Sequence, residues 1–198
     1  MKHIAIFASG SGTNAQNLIE YFNLNKRCGF SHANVAVVIC NKTNAPVIER
    51  AKKMGVPAVV LKKEELTTTP QVLLQTLKEY KIDYIVLAGY LQMIPSELIK
   101  EYPDKIINIH PSLLPAYGGK GMYGHHVHEA VVAAGEKESG ITIHLVDEVY
   151  DSGRILFQAR CHINLGDTPE ILAAKIHQLE YEHFPKVVEE YITGREYY

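Results

Sequence analysis

Apolar residues along the chain fall into short runs separated by stretches with helical spacing. The runs are 3–8, 35–40 (Val-Ala-Val-Val-Ile-Cys), 58–61, 84–88 (Tyr-Ile-Val-Leu-Ala) and 106–109 (Ile-Ile-Asn-Ile). Between them, 15–24, 45–54 and 70–80 read as helices, and Pro95 opens a shorter one. Continuous β-branched runs are what strands covered on both faces look like, and helices between them make the pairing parallel. The expected class is therefore α/β: a Rossmann-like, mostly parallel sheet with helices on both faces.

The pattern changes after residue 140. Ile141, Ile143 and Leu145 alternate with Thr142, His144 and Val146, and 155–163 reads as a further strand. The intervening 147–154 is too short for a helical crossover, so these two strands should pair antiparallel. Thr168-Pro169-Glu170 combines a capping hydroxyl, a proline at the first helical position and an acid in the first turn. Ile171, Leu172, Lys175, Ile176 and Leu179 continue that helix, and Pro185 is expected to kink or restart it. Segment 111–124 carries four glycines and two prolines and reads as a mobile functional loop. With no repeat and no linker, 1–198 reads as one domain.

Composition narrows the function classes. Of 198 residues 46% are hydrophobic and 21% charged, enough apolar material for a core and too much for disorder. A net charge of −2 gives no electrostatic reason to expect nucleic acid or an anionic membrane as partner. Cys28, Cys40 and Cys161 are odd in number and lack CxxC spacing, which argues against disulfides and zinc and for a reducing cytoplasm. The apolar start, His3 to Phe7, runs directly into Ser9-Gly10-Ser11-Gly12 and reads as a strand rather than a signal peptide. No apolar run approaches the length of a membrane span.

Three segments carry candidate chemistry. Ser9-Gly10-Ser11-Gly12-Thr13-Asn14 follows the first strand and opens a helix, where free backbone N–H groups and the positive dipole end suit a phosphate. The other reading is a tight strand-to-helix turn that binds nothing. Gly10-x-Gly12-x-x-Ala15 loosely matches a dinucleotide fingerprint, but Cys40-Asn41-Lys42 lacks the carboxylate such a site needs, and no GK[ST] follows. Asn108 and His110 lie two apart at a strand end and share a face, where an amide and an imidazole could stabilise an oxyanion and move a proton. Taken alone they could equally be a satisfied structural pair. Asp147-Glu148-Val149-Tyr150-Asp151-Ser152-Gly153 is an acidic turn that on its own reads as a solvated hairpin tip. His125, His126 and His128 admit a metal site or a polar helix start; apart from Glu129 no ligand has complementary spacing, so no metal is expected.

Ser-Gly-x-Gly-Thr-Asn at 9–14, Asn-x-His-Pro-Ser-Leu-Leu-Pro at 108–115 and Asp-x-Gly at 151–153 together resemble the folate-dependent formyltransferases, in the glycinamide ribonucleotide branch of purine biosynthesis. The resemblance covers nearly the whole chain. It implies transfer of the formyl group of 10-formyltetrahydrofolate, a co-substrate and not a bound cofactor, to the amine of 5-phosphoribosylglycinamide (GAR). By position it implies Asn108, His110 and Asp151 as catalytic residues. Gly12, Thr13 and Asn14, with His177, Gln178, Leu179 and Glu180, would hold GAR. Leu91, Gln92, Met93 and Ile94 and the turn Asp147, Glu148, Val149, Tyr150, Asp151, with Asn108, would hold the folate. Asp151 beside His110 predicts an imidazole pKa above its ordinary value. The partners implied are two small molecules, acting on a monomer or homodimer.

The chain departs from the commoner family pattern in the long loop 117–125, and 62–65 (Lys-Lys-Glu-Glu) lacks a clear match to a basic residue near the folate tail. A deformylase-like hydrolase on the same core would bring an N-terminal regulatory domain, whereas the first strand here starts at residue 3. The methionyl-tRNA branch would bring a C-terminal RNA-binding domain, and this chain ends at 198 without being basic. A catalytically silent nucleotide-binding module would not need Asn108, His110 and Asp151 together. Transfer to an amine is the expectation.

Overall fold

A computed structural model describes residues 1–24, 32–67 and 70–194. Strand β1 (Lys2–Ala8) leads into α1 (Thr13–Ile19), which continues as a π-helical turn over Glu20–Leu24. Then follow β2 (Ala33–Cys40), α2 (Pro46–Lys53), β3 (Ala58–Val60), α3 (Lys63–Thr67), α4 (Gln71–Glu79), β4 (Tyr84–Leu87), α5 (Ser96–Glu101) and β5 (Ile106–His110). The chain continues through α6 (His125–Ala133), β6 (Glu138–Leu145), β7 (Ile155–His162) and α7 (Pro169–Thr193). The sheet has seven strands in the order β3-β2-β1-β4-β5-β6-β7. Strands β1 to β5 pair in parallel, and β5–β6 and β6–β7 are antiparallel, as the change of pattern after residue 140 predicts.

The alternation of β1 shows why its run is continuously apolar. Ile4, Ile6 and Ala8 face one core with residues of α1, α2, α6 and α7, while Ala5 and Phe7 face a second core with Leu73, Leu77 and Leu98 of α4 and α5. Both faces are dry from Ile4 to Ala8, so that stretch is apolar at every position, while Lys2 and His3 stand at the accessible start of the strand. Helix α3 escaped the sequence reading because five residues with one buried anchor, Leu66, give no periodicity to detect.

Pro185 does not restart the helix, one of the two outcomes expected of it. Helix α7 runs unbroken for 25 residues with Pro185 buried inside it. A proline there leaves the carbonyl four residues earlier without its helical donor. That carbonyl, on Tyr181, instead accepts a hydrogen bond from Asn17 Nδ2 of α1 at 3.0 Å. Buried Phe184, Val187 and Val188 hold the helix down on either side.

The strand order reverses between β1 and β4, so the loops leaving their carboxyl ends diverge and open a crevice. Ser9 ties the two loops together: its N–H donates to the Gly89 carbonyl at 3.0 Å, and its hydroxyl accepts from the Leu91 N–H at 3.1 Å.

Candidate active site

A cleft of about 680 Å³ occupies this crevice, lined by residues 10–14, by Asn108 and His110 from β5, by Asp151, and by His177 and Glu180 of α7. The glycine-rich loop is held from outside by α2. The Val47 N–H donates to the Gly10 carbonyl at 3.3 Å, and Arg50 Nε to the Ser11 carbonyl at 2.9 Å. Gly12 sits at φ 75°, and a Cβ there would lie 2.4 Å from Cγ2 of Val47, so both conformation and space demand glycine. The first helical bond runs from Gln16 N–H to the Gly12 carbonyl at 2.8 Å, which leaves the N–H groups of Thr13, Asn14 and Ala15 without helical acceptors beside the cleft.

The octapeptide 108–115 is pinned to the sheet behind it. Thr142 of β6 donates its hydroxyl to the Ser112 carbonyl at 2.7 Å and accepts from the Leu114 N–H at 3.0 Å. The loop beyond is tied in too: the Ser112 hydroxyl donates to the Ala116 carbonyl at 2.6 Å, and the Gly119 N–H to Asp151 Oδ2 at 2.9 Å. The first part of this segment, Ser112 to Gly119, is thus tied down around the site.

His110 is 4% exposed, and its Nε2 lies 2.8 Å from the Tyr117 carbonyl, an oxygen that can only accept. Nε2 therefore carries hydrogen, and Nδ1, the nitrogen left to titrate, faces Asp151 Oδ2 at 3.6 Å. Burial is the largest influence on the ring and lowers its pKa; Asp151 and the Tyr117 carbonyl pull the other way without overcoming it. The expectation of a raised His110 pKa is thereby corrected, because desolvation outweighs one carboxylate that stands beyond hydrogen-bond reach. Burial also works against the charged form of Asp151, but the rings of His144 and His110 and the Gly119 N–H hold its carboxyl below the ordinary range.

Asp151 occupies the left-handed region at φ 55°, which aspartate tolerates better than most residues. Two residues on, a Cβ at Gly153 would lie 1.8 Å from the Leu145 carbonyl, so the hairpin closes only around a glycine. The Asp-x-Gly signature is in this way a backbone requirement. Asp147 serves the same turn: its carboxylate accepts from the Val149 N–H at 2.8 Å and from the Ser152 hydroxyl at 2.8 Å.

On the far side of the cleft, Glu180 is 6% exposed and receives both Asn14 Nδ2 and His177 Nδ1 on Oε2, each at 2.9 Å. The bond to Glu180 raises the His177 pKa against a smaller opposing effect of burial. His128 is buried against the same cleft, its Nδ1 has no partner among the described residues, and burial lowers its pKa.

Of the residues the sequence singles out, 12–14, Asn108, His110, Asp151, His177 and Glu180 come together on this cleft. A smaller adjoining pocket of about 60 Å³ has Gln92, Met93 and Ile94 on one side and Asp147 to Asp151 on the other. Leu91 lines the large cleft and not the small one. Gln178 and Leu179 line neither: on a helix only 173, 177 and 180 share that face, and Leu179 packs on the core instead. His125 and His126 each face Glu129 at 3.4 Å on the surface, and no group of three or more ligating side chains among the described residues is arranged to hold a metal ion. Cys40 and Cys161 are free thiols, and Cys28 lies outside the described residues. No helix among the described residues is long and apolar enough to cross a membrane.

The sequence reading missed His144 as a site residue. Its Nε2 is 3.0 Å from Asn108 Nδ2 and 3.6 Å from Asp151 Oδ1. The available signal was its place in the alternation of β6, a polar side chain on a strand whose neighbours are buried.

Residues 2–188 match the family described as formyl transferase. The chain is 42% identical over 191 residues to a phosphoribosylglycinamide formyltransferase of Vigna unguiculata named as chloroplastic, covering 95% of this chain and 60% of that protein. It is 36% identical to the phosphoribosylglycinamide formyltransferase of Bacillus subtilis, covering 96% of this chain and 94% of the relative. The solved structure of glycinamide ribonucleotide transformylase 1 from Geobacillus kaustophilus superposes with a TM-score of 0.85 at 40% identity, over 96% of this chain and 97% of the other. The fold, the octapeptide and these likenesses agree, and the chain belongs to the formyl transferase family.

Proposed function

We propose that this protein transfers the formyl group of 10-formyltetrahydrofolate to the amine of GAR, giving formyl-GAR and tetrahydrofolate in purine biosynthesis. The observation that carries the reading is the meeting of three chain segments on one cleft. Asn108 and His110 come from β5, Asp151 comes from the β6–β7 hairpin, and they sit between a loop of free N–H groups and a small pocket of mixed apolar and polar lining. The acceptor's phosphate lies on the N–H groups of 12–14, where an anion needs no side-chain cation. Asn14, His177 and Glu180 form the wall beside it. The folate ring enters between 91–94 and 147–151.

The amine attacks the formyl carbon, and the carbonyl oxygen becomes an oxyanion. An amide N–H of Asn108 stabilises that charge, and the ring of His110 adds to it once it has taken up the amine proton and become an imidazolium. With its pKa lowered, His110 is neutral at pH 7, so its Nδ1 can accept the proton that the attacking amine must lose. Asp151 stabilises the imidazolium as it forms. The same proton, relayed through water, goes to the folate nitrogen as the bond between that nitrogen and carbon breaks. The reaction balances without a resident cofactor. Residues 1–198 act as one domain on two small-molecule substrates, in a reducing compartment such as the cytoplasm, consistent with the free thiols of Cys40 and Cys161.

The test is incubation with 10-formyltetrahydrofolate, with and without GAR. Folate turnover that depends on the acceptor is the expected result. Equal turnover without it would mean that water receives the formyl group, and would replace the transferase by a hydrolase.

A further inference from the structure

We propose that His144 is a positioning residue that fixes which face of the Asn108 amide meets the reacting formyl group. The proposal rests on the formyl-transfer reading above and adds a member to that site.

His144 is 1% exposed and stands on β6 directly opposite Asn108 on β5 in the antiparallel register. A register shift between β6 and β7 falls at Ile143/His144, the kind of irregularity that re-aims a side chain beside a site. Nδ1 of His144 lies 2.8 Å from the Leu145 carbonyl, which can only accept, so Nδ1 carries hydrogen. In the neutral ring, Nε2 is then a lone pair and can only accept. Asn108 at 3.0 Å must present its NH2 group to that nitrogen.

The orientation of Asn108 follows from a backbone carbonyl two links away. One amide hydrogen goes to His144, and the second remains for the formyl oxygen. The end of an asparagine side chain rotates in a broad, roughly two-fold well, so without this contact either face is cheap to present. Turning the carbonyl oxygen toward a forming oxyanion would replace attraction by repulsion. Asp151 Oδ1, 3.6 Å from the same Nε2, is the competing partner: the His144 ring helps hold that carboxyl down, and one nitrogen can serve Asp151 as a donor or Asn108 as an acceptor but not both at once.

Two near-isosteric substitutions separate the two bonds of the ring. His144→Asn keeps a donor near the position of Nδ1 and loses the acceptor near Nε2. His144→Gln reaches the position of Nε2 with an oxygen and loses the bond to Leu145. We expect His144→Asn to lower kcat on the order of 10–100-fold with both KM values within about 2-fold, and His144→Gln to recover most of the loss. In an Asn108→Ala background His144→Asn should cost nothing further. Comparable losses in the Asn and Gln variants that follow their melting temperatures, or a full multiplicative loss in the Asn108→Ala background, would overturn the proposal. NMR gives a readout without turnover: one side-chain N–H of Asn108 should exchange slowly in the wild type and in His144→Gln, and quickly in His144→Asn. A protein showing that pattern while transferring no formyl group would count against the formyl-transfer reading and leave the contact standing; absence of the pattern counts against the contact itself.

Discussion

Gly12→Ala offers a sharp test of where the acceptor's phosphate binds. The added Cβ would meet Cγ2, Cβ and Cα of Val47 at 2.4, 2.5 and 2.8 Å. Carbon atoms pack at about 3.5–4.0 Å, so the loop or α2 must yield by roughly 1 Å. The residue must also keep a left-handed φ, at a further cost of about 1–2 kcal/mol. A displacement of that size carries an N–H out of the narrow distance range of a hydrogen bond. One hydrogen bond to a charged group is worth about 1.5–3 kcal/mol, which converts to an acceptor KM raised roughly 10–100-fold. The folate pocket is built from 92–94 and 147–151, so its KM should stay within about 3-fold. Steady-state kinetics with each substrate varied in turn, at a temperature where thermal unfolding shows the variant folded, provides the measurement. Val47→Ala removes only the Cγ2 contact and leaves Cβ and the backbone, so adding it to Gly12→Ala should restore little. Equal rises in both KM values, or an unchanged acceptor KM, would refute the placement of phosphate on this loop.

Four further outcomes are expected. His110→Ala should keep the fold by circular dichroism and lose roughly 10² or more in turnover, since it removes a proton acceptor and an oxyanion stabiliser together. Asp151→Asn should shift the NMR titration of His110 to still lower pH, because the carboxylate is the main influence opposing burial; coincident curves in the two proteins would show that Asp151 does not tune the ring. The depressed Asp151 carboxyl also contributes stability that is present above its unfolded pKa and lost as pH falls through the folded one, and the Asn variant should lack that acid loss. His110 and His128, both lowered by burial, should make urea stability climb with pH from their folded pKa values up to the unfolded value near 6.5, while His177, raised by Glu180, contributes stability that is complete below about 6.5 and lost as pH passes its folded value; flat stability across pH 5–8 would contradict all three assignments.

What the sequence discloses depends on whether the cause of a feature is local. Strands β1, β2, β4 and β5 were legible because a strand buried on both faces is apolar along most of its length, and such a run is visible in four to eight consecutive residues. Asn108 and His110 were legible as a pair because a strand puts alternate residues on one face. The two glycines of the site are legible as letters, but their reasons are not. Gly12 is required by Val47 and Gly153 by the Leu145 carbonyl, neither adjacent in the chain. Pro185 shows the converse. Its local rule is sound, yet the side chain of Asn17, 164 positions from Tyr181, takes the Tyr181 carbonyl that the proline leaves over, and the helix continues.

The same distinction explains Glu180 and His144. By pattern alone Glu180 is a surface glutamate, and it is buried only because α7 crosses α1 and brings it to Asn14. His144 alternates with apolar residues as any strand polar residue might. Its meaning needs two facts that no window contains, the antiparallel register with β5 and the irregularity opposite β7, besides the carbonyl of the next residue, Leu145, on which its Nδ1 is spent. A buried imidazole whose outer nitrogen is committed to the backbone has one hydrogen-bonding sense left to offer. The chemistry offered to the formyl group by Asn108 is accordingly settled by the residue opposite it on β6, His144, which also lines the small pocket proposed for the folate.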